Sequence, residues 1–459
     1  MPDGAVPRLR LLRGRQRLID YDEAVAALTQ RGRFGISLGL ERIARLMEAL
    51  GHPERALHGA LVGGTNGKGS VIAMVRSVLG AAGYRVGTMP KPHLVSYRER
   101  IAIDGESVSA DDFAAAVGRV LPVADEVARP IGPPTEFEAL TAAAVTELAR
   151  RRVDLAVIEV GMGGRLDATN VLDLGVAVVT NVQRDHERHL GRTLAAIGAE
   201  KAAIIKPGNL AVTGASGRGL RPILERSRQV GAPLRRAGPR QPYRTELRDN
   251  TWDGITIDAL TPSGRLSDLR VALLGRHQAQ NAAVALAVLD ALGEDAARGG
   301  RPLDRVDEAA IRRGLASVQW PGRLERLDAS ALGWGNVLLD GAHNPAGAVA
   351  LAEALRDLGL QRFALVFGAM RGKRVADVLR ALARLAPRPV FTRVDDPAAL
   401  DPEALLRTWR RVAPGGDPGS TTADTTLAME RAAALAGGRP VVVAGSLYLV
   451  GAVRGMIVP

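Results

Sequence analysis

Residues 57–82 read LHGALVGGTNGKGSVIAMVRSVLGAA. An apolar run leads into a glycine-rich turn that carries a lysine, and an apolar helical pattern then continues until Gly83. This order predicts a buried strand, a loop and a helix, which is the setting of a phosphate-binding loop. Glycines let backbone N–H groups converge on a phosphate, and the helix N-terminus adds a partial positive charge. We therefore expect a nucleotide-binding loop made of Gly64, Thr65, Asn66, Gly67, Lys68, Gly69 and Ser70.

The loop departs from the usual Walker A spacing just after its lysine. Lys68 is expected to reach the β- and γ-phosphates as a point charge. Gly69 stands where a metal-binding serine or threonine normally follows, and Ser70 comes one position later. A phosphate-binding loop alone does not distinguish between GTPases, ATPases, kinases and ligases.

The loop belongs to a longer alternation of strands and helices, which predicts a mostly parallel sheet covered on both faces. Short apolar runs and helical spacing predict strands at 85–89, 154–160 and 174–180, and helices at 21–31, 40–50, 110–128 and 136–151.

In the second half of the chain, the alternation of strands and helices is interrupted and then resumes. Turn residues at 249–250, 253–254 and 263–264 separate short alternating segments, which predicts antiparallel hairpins attached to the first domain. Strands are again predicted farther on, at 337–339, 363–367, 390–392 and 441–443. We expect an α/β protein with a parallel-sheet nucleotide-binding domain at 1–296, a linker at 297–302, and a smaller Rossmann-like α/β domain at 303–459.

Composition excludes several classes of protein. The 459 residues are 46% hydrophobic and 24% charged, which is typical of a globular protein with two or three domains. The absence of cysteine excludes disulfides, thiolate metal sites and a cysteine nucleophile, and it fits a cytoplasmic location. The longest apolar stretch, at 441–453, is shorter than the ~20 residues of a membrane span. We expect a soluble cytoplasmic protein with no membrane partner.

The net charge of +12 raises nucleic-acid binding as an alternative. The arginines are scattered, however, and lack interleaved aromatic residues on which bases could stack. An arginine-rich composition explains the charge better, and we expect no nucleic-acid partner.

The run GTNGKGS at 64–70 resembles the loop of the Mur ligase superfamily, and further blocks resemble its folylpolyglutamate synthase and dihydrofolate synthase branch. These blocks are LGLERI at 38–43, PHLVSYRERI at 92–101, TEFE at 135–138, IEVGMGGRLDATN at 158–170, DH at 185–186, EKAAIIK at 200–206, WPGRLE at 320–325, DGAHNP at 340–345 and GSLYL at 445–449. The resemblance implies a Mur ligase fold with ATP and Mg²⁺ as cofactors and catalysis between two domains of a monomer. The implied reaction joins L-glutamate to dihydropteroate, to folates or to both, through an acyl phosphate.

Metal ligands are expected where two apolar strands end. Glu159 ends one strand and His186 follows the next, so an acid and an imidazole could hold Mg²⁺ near the loop. The third ligand implied by the resemblance is a serine, but this chain has Lys91 there, and an ammonium group cannot bind Mg²⁺. Lys201 matches a lysine that the family carbamylates.

The resemblance also implies roles in nucleotide and substrate binding. Asn281, Arg323 and Asp340 are expected to contact the nucleotide, and His343 to orient a phosphate or the incoming amine. The predicted catalytic residues are thus Lys68, Lys201 and His343. The pterin-bearing acid is expected to contact Ser37, Leu38, Gly39, Leu40, Thr135, Glu136, Phe137, Glu138 and Asp167.

Three other interpretations remain open from the sequence. The first is another Mur-type ligase that acts on a different acid acceptor. The second is a P-loop switch protein that binds nucleotide without ligating anything. The third, a nucleic-acid-binding ATPase, depends only on the charge.

Overall fold

The apolar run before the phosphate loop forms the buried strand β1 (Gly59–Gly63) in the middle of a sheet. The computed structural model describes residues 18–32 and 38–458. Other strands of this sheet are β2 (Val86–Met89), β3 (Ala102–Ile103), β4 (Glu106–Ser107), β5 (Leu155–Glu159), β6 (Gly175–Val179), β7 (Leu210–Thr213) and β8 (Leu234–Arg236). In the described residues the order is β4-β3-β2-β5-β1-β6-β7-β8, and all pairs are parallel except those of β3.

Helices cover both faces of this sheet, as predicted. They are α1 (Tyr21–Gly32), α2 (Glu41–Ala49), α3 (Lys68–Ala81), α4 (Ala110–Ile131), α5 (Glu136–Arg150), α6 (Glu187–Leu190), α7 (Leu194–Ala202), α8 (Gly217–Val230), α9 (His277–Arg298) and α10 (Glu308–Ala316). One apolar core joins α1, α2, α4, α5, α7 and α8 to the sheet, and a second core joins α3, α9 and α10 to the other face. Short 3₁₀ turns lie at Pro53–Ala56, Tyr97–Arg100, Ala168–Val171 and Ser330–Leu332.

The predicted hairpins form a small antiparallel sheet beside α9. Its strands are β9 (Arg244–Thr251), β10 (Gly254–Thr261) and β11 (Gly264–Val271). Turns at 253–254 and 263–264 are confirmed. The prediction of a turn at 249–250 is wrong, because Asp249 and Asn250 pair with β10 inside β9.

The second α/β domain is confirmed by a separate sheet. Its strands are β12 (Arg323–Asp328), β13 (Asn336–Asp340), β14 (Ala364–Phe367), β15 (Arg388–Phe391), β16 (Ser420–Thr421) and β17 (Val441–Ala444). They lie in the order β12-β13-β17-β14-β15-β16, with only the β12–β13 pair antiparallel among the described strands. Its helices are α11 (Pro345–Asp357), α12 (Val375–Ala383), α13 (Pro402–Val412), α14 (Thr425–Ala436) and α15 (Leu447–Ile457).

The helix α10 lies between the two sheets in sequence but packs with the first. Ala310 and Leu315 of α10 are buried in the core that also contains Val78 of α3. Residues 297–298 of the predicted linker still belong to α9. We propose that the first domain extends through α10 and that the second begins at β12. In the part of the chain that the structure describes, we find no helical segment with the length and apolar character of a membrane span.

Candidate active site

A cavity of about 880 Å³ lies where the carboxyl ends of both parallel sheets meet, which is where α/β sheets bind ligands. Ser37 lies outside the described residues, and Leu40 precedes α2 without lining the cavity. The other predicted site residues all line it: Leu38, Gly39, Gly64, Thr65, Asn66, Gly67, Lys68, Gly69, Ser70, Thr135, Glu136, Phe137, Glu138, Glu159, Asp167, His186, Lys201, Asn281, Arg323, Asp340 and His343. The structure thus brings these side chains together, while their roles remain predictions.

The phosphate loop is anchored on the end of β6. The Thr180 hydroxyl donates to the Asn66 carbonyl at 2.7 Å, and the Asn66 N–H donates to Asn181 Oδ1 at 2.9 Å. Gly64 has a φ of 141°, and a Cβ there would lie 1.9 Å from Thr180 Oγ1. Lys68 Nζ donates to loop carbonyls at 3.3 Å. The loop therefore has a fixed shape with its ammonium group inside the cavity.

Packing explains why residue 69 is a glycine and not the usual serine or threonine. A Cβ at this position would lie 2.5 Å from the indole ring of Trp320, which precedes the second domain. The indole thus fills the space that a serine or threonine side chain would need. The chain segment that enters the second domain is consequently packed on the first turn of α3.

The two predicted metal ligands, Glu159 and His186, line the same cavity as the phosphate loop. Glu159 is buried, and its Oε2 accepts a hydrogen bond from the Lys91 backbone N–H at 3.0 Å. Its Oε1 lies 3.7 Å from Lys68 Nζ. Burial, together with repulsion by Lys373, lowers the pKa of His186 to about 4, so its imidazole is neutral at pH 7. One carboxylate and one neutral imidazole fit a cation that keeps waters and phosphate oxygens as its other ligands.

Lys201 is a buried amine beside the phosphate loop. Its Nζ donates to the Gly64 carbonyl at 2.9 Å, and only 4% of the residue is exposed. Burial and then repulsion by Lys68 lower its pKa to about 7. A large fraction of this amine is therefore neutral and nucleophilic at pH 7.

The predicted acid-binding residues also have structural roles. Thr135 and Glu138 form a capping box at the start of α5, and Glu138 also accepts from Arg42 Nε at 3.0 Å. Asp167 Oδ2 accepts from the Met162 N–H at 2.8 Å, and its Oδ1 accepts from Thr169. Glu138 Oε1 is buried and has no hydrogen-bond partner in the described residues. That oxygen is free to accept from a ligand.

The second domain contributes an acid and a base at the end of β13. Asp340 accepts from the backbone N–H groups of Ala342 at 2.9 Å and Leu324 at 3.0 Å. Burial raises its pKa, and Arg323 opposes that rise. His343 Nδ1 donates to the Gly341 carbonyl at 2.8 Å, which directs Nε2 toward the first domain.

A polar cluster between the domains was missed by sequence reasoning. Asp185 accepts from Lys373 Nζ at 2.8 Å and from Asn344 Nδ2 at 3.2 Å, and His343 Nε2 lies 3.5 Å away. Asn344 also donates to Asn66 Oδ1 of the phosphate loop at 3.0 Å. Burial alone would raise the pKa of Asp185, but His343 and Lys373 hold it far below its ordinary value. The cluster joins the phosphate loop to the second domain.

Lysine usage is a sequence signal that finds part of this cluster. Only five of the 61 basic residues are lysines. Four of them line the cavity, and they are Lys68, Lys91, Lys201 and Lys373. The rarity of lysine in this arginine-rich chain is therefore a signal that could have directed attention to Lys373.

Family models match most of both domains. The Mur ligase middle domain matches residues 62–289, and the Mur ligase, glutamate ligase domain matches residues 322–447. The chain is 34% identical to the dihydrofolate synthase/folylpolyglutamate synthase of Bacillus subtilis, over 83% of this chain and 86% of the relative. It is 37% identical to the Mycobacterium tuberculosis protein of the same name, over 81% and 77%.

Solved structures agree with this match. M. tuberculosis folylpolyglutamate synthase complexed with ADP and AMPPCP superposes with a TM-score of 0.85 at 34% identity, covering 95% of this chain and 99% of that one. Escherichia coli FolC in complex with DHPP and ADP superposes with a TM-score of 0.82 at 30% identity, covering 96% and 98%.

Replacing Lys373 should weaken the contact between the domains. Lys373→Met leaves the Asp185 carboxylate without its ammonium partner, and we expect a loss of about 2 kcal/mol in the free energy of unfolding at pH 7. The depressed pKa of Asp185 stabilises the fold above pH ~4, and this contribution is lost as the pH falls further. The difference between wild type and variant should therefore shrink at pH 3, as measured by urea unfolding at both pH values.

The matched control is Arg374→Met. Arg374 forms an ion pair with Asp377 on the surface, where its side chain is 49% exposed. This substitution should change the free energy of unfolding by less than about 0.5 kcal/mol. Equal losses in the two variants would contradict the interdomain role of Lys373.

Proposed function

We infer, from its membership of the folylpolyglutamate synthase/dihydrofolate synthase family of Mur ligases, that this chain is an ATP-dependent ligase that joins L-glutamate to a folate-type acid. We further propose that it accepts both dihydropteroate and reduced folates. The observation that carries the proposal is the single cavity at which the phosphate loop, the start of α5 and the end of β13 meet.

The proposed reaction has two balanced steps. A carboxylate oxygen of the acid first attacks the γ-phosphorus of ATP, and ADP leaves, which produces an acyl phosphate. The amine of glutamate then attacks the acyl carbon, phosphate leaves with the bridging oxygen, and the amine loses a proton. Charge accumulates on the transferred phosphoryl group, so that Lys68 from one domain and Arg323 from the other would stabilise it electrostatically.

Glu159 and His186 are the residues that would hold Mg²⁺ in this cavity. When bound, the ion would neutralise phosphate charge and align the nucleotide with the acid. His343 lies at the domain boundary, where its Nε2 is available to orient the phosphate or the incoming amine. Asn281 and Asp340 are assigned to the nucleotide, and Thr135, Glu136, Phe137, Glu138 and Asp167 to the acid.

Contact between the domains supports a closed site. The phosphate loop meets Asn344, and α3 meets Trp320, so that the reacting groups lie between two bodies of protein. Closure of this kind excludes water and protects an acyl phosphate from hydrolysis. As the family resemblance implies, we propose a cytoplasmic monomer whose substrates are small molecules.

The proposed activity is tested by phosphate release from Mg·ATP and glutamate with dihydropteroate, with tetrahydrofolate, and with no acid. We expect release with each acid and little without one. Lys68→Ala should abolish release, because the phosphate loop then loses the ammonium group that lies against the Gly64 and Thr65 carbonyls. The far-UV circular dichroism spectrum should stay unchanged.

Release with only one acid would restrict the enzyme to that step. Acid-independent release would favour a nucleotide switch, and release only with other acids would favour another Mur-type ligase. Retained turnover in Lys68→Ala would contradict the role assigned to the phosphate loop.

We propose that Lys201 is carbamylated. Its neutral amine would add to CO₂ with loss of one proton, which converts a buried cation into an anion that can support a bound cation. ¹³C NMR of protein equilibrated with ¹³C-labelled bicarbonate should show a carbamate carbon at pH 8. The signal should weaken at pH 6, because the amine is protonated below its pKa of about 7.

The control for this experiment is Lys201→Arg, which keeps the positive charge but cannot form the carbamate. A carbamate signal that persists in Lys201→Arg, or none in the wild type at pH 8, would contradict the assignment.

A further inference from the structure

Lys91 lines the cavity, but neither the reaction described above nor the contact between the domains uses its ammonium group. Its backbone is fixed at the metal side of the cavity, since the Lys91 N–H donates to Glu159 Oε2 at 3.0 Å. The Nζ atom lies 3.7 Å from the centroid of the Phe137 ring, at the start of α5.

Space for this ammonium group is provided by Gly161. A Cβ at Gly161 would lie 2.4 Å from Lys91 Nζ and 2.8 Å from Asp167 Oδ2. Any side chain at residue 161 would therefore displace both groups. The glycine keeps an ammonium and a carboxylate together on the acid-binding side of the cavity.

In the part of the chain that the structure describes, no carboxylate is hydrogen-bonded to the Lys91 ammonium group. Among residues 18–32 and 38–458, Nζ forms no hydrogen bond and no ion pair, and its direct neighbour is the Phe137 ring. Asp167 and Glu159 attract it only at longer range, and Arg100 and Lys68 repel it. Asp167 already accepts from Met162 and Thr169. Removing an ammonium group from water is costly, and one ring face compensates only in part.

The position of Nζ identifies the missing partner. The Lys91 N–H contacts Glu159, which lies beside Lys68 of the phosphate loop, whereas Nζ lies over the Phe137 ring and borders the space at Gly161 that Asp167 also borders. A carboxylate that is to attack the γ-phosphorus must occupy the boundary between these two regions. There it would meet the negative charge of the nucleotide, and a nearby cation would offset that repulsion.

We propose that Lys91 Nζ binds the reacting carboxylate of the acid substrate and holds it against the γ-phosphoryl group. This inference rests on the proposed function, because it names the group that positions that reaction's nucleophile. An ammonium group can donate to one carboxylate oxygen and leave the other free to attack. Lys91 neither transfers a proton nor forms a covalent bond, so the two steps of the reaction stay as written above.

The test compares pteroate with its carboxamide, which has the same pterin and benzoyl groups but no negative charge. Equilibrium binding is measured by protein fluorescence without ATP and without metal. The wild type should prefer the acid over the amide by about 10- to 100-fold, the range of a charge-assisted hydrogen bond. Lys91→Met should lose most of this preference, chiefly through weaker binding of the acid, while ADP affinity measured separately is retained.

Two further variants keep the comparison decisive. Lys91→Ser also removes the ammonium group with a smaller side chain, so it serves if the methionine variant fails to fold. Arg221→Met removes a cation from the exposed surface of α8 and should leave the preference and the turnover as in the wild type.

Full retention of the preference for the acid in a folded Lys91 variant would overturn this inference alone. A wild type that binds pteroate but prefers the amide, or shows no preference, would overturn it as well. Failure of the proposed function has a separate signature, since the wild type would then neither bind pteroate nor release phosphate in response to a pterin acid, and both proposals would fall.

Discussion

The site depends on the register of β1 between its two parallel neighbours. Val62 pairs with Glu159 of β5 and with Val178 of β6, so that the three strands end at the same level. That register puts the Glu159 carboxylate and the Thr180 hydroxyl beside the phosphate loop. A one-residue slip would turn each of these side chains to the other face of the sheet. Phosphate binding and the predicted metal site thus follow from the pairing of three buried strands.

The second domain supplies side chains that contact the phosphate loop and Asp185 of the first domain. Trp320 packs where Gly69 leaves room, and Asn344 and Lys373 meet Asn66 and Asp185 across the boundary. The phosphate loop is therefore shaped from both sides. Separation of the domains would remove Lys373, Asn344 and His343 from Asp185, so the contact between the domains both neutralises this carboxylate and bounds the cavity.

The sequence predicts most strands and helices well, because buried segments appear as apolar runs and turns appear as glycine-rich or polar residues within short stretches. An uncharged run such as 59–63 is explained only by burial, and the glycines after it require a loop. The prediction at 249–250 is wrong because Asp249 and Asn250 lie in β9, a largely exposed strand where turn-forming residues cost little. The pairing of Asp185 with Lys373 spans 188 residues and leaves no local trace. The direction of the Lys91 side chain likewise depends on Gly161 and Phe137, which only the folded chain brings to it.

The central claim is that the cavity converts a carboxylate into an acyl phosphate. Turnover of pteroate labelled with ¹⁸O in both carboxylate oxygens, followed by mass spectrometry of the released phosphate, tests it most directly. We expect one ¹⁸O atom in each phosphate released, because the bridging oxygen leaves with phosphorus when the amine attacks the acyl carbon. Unlabelled phosphate accompanying amide formation would show that the carboxylate oxygen never reaches phosphorus, and it would contradict the mechanism.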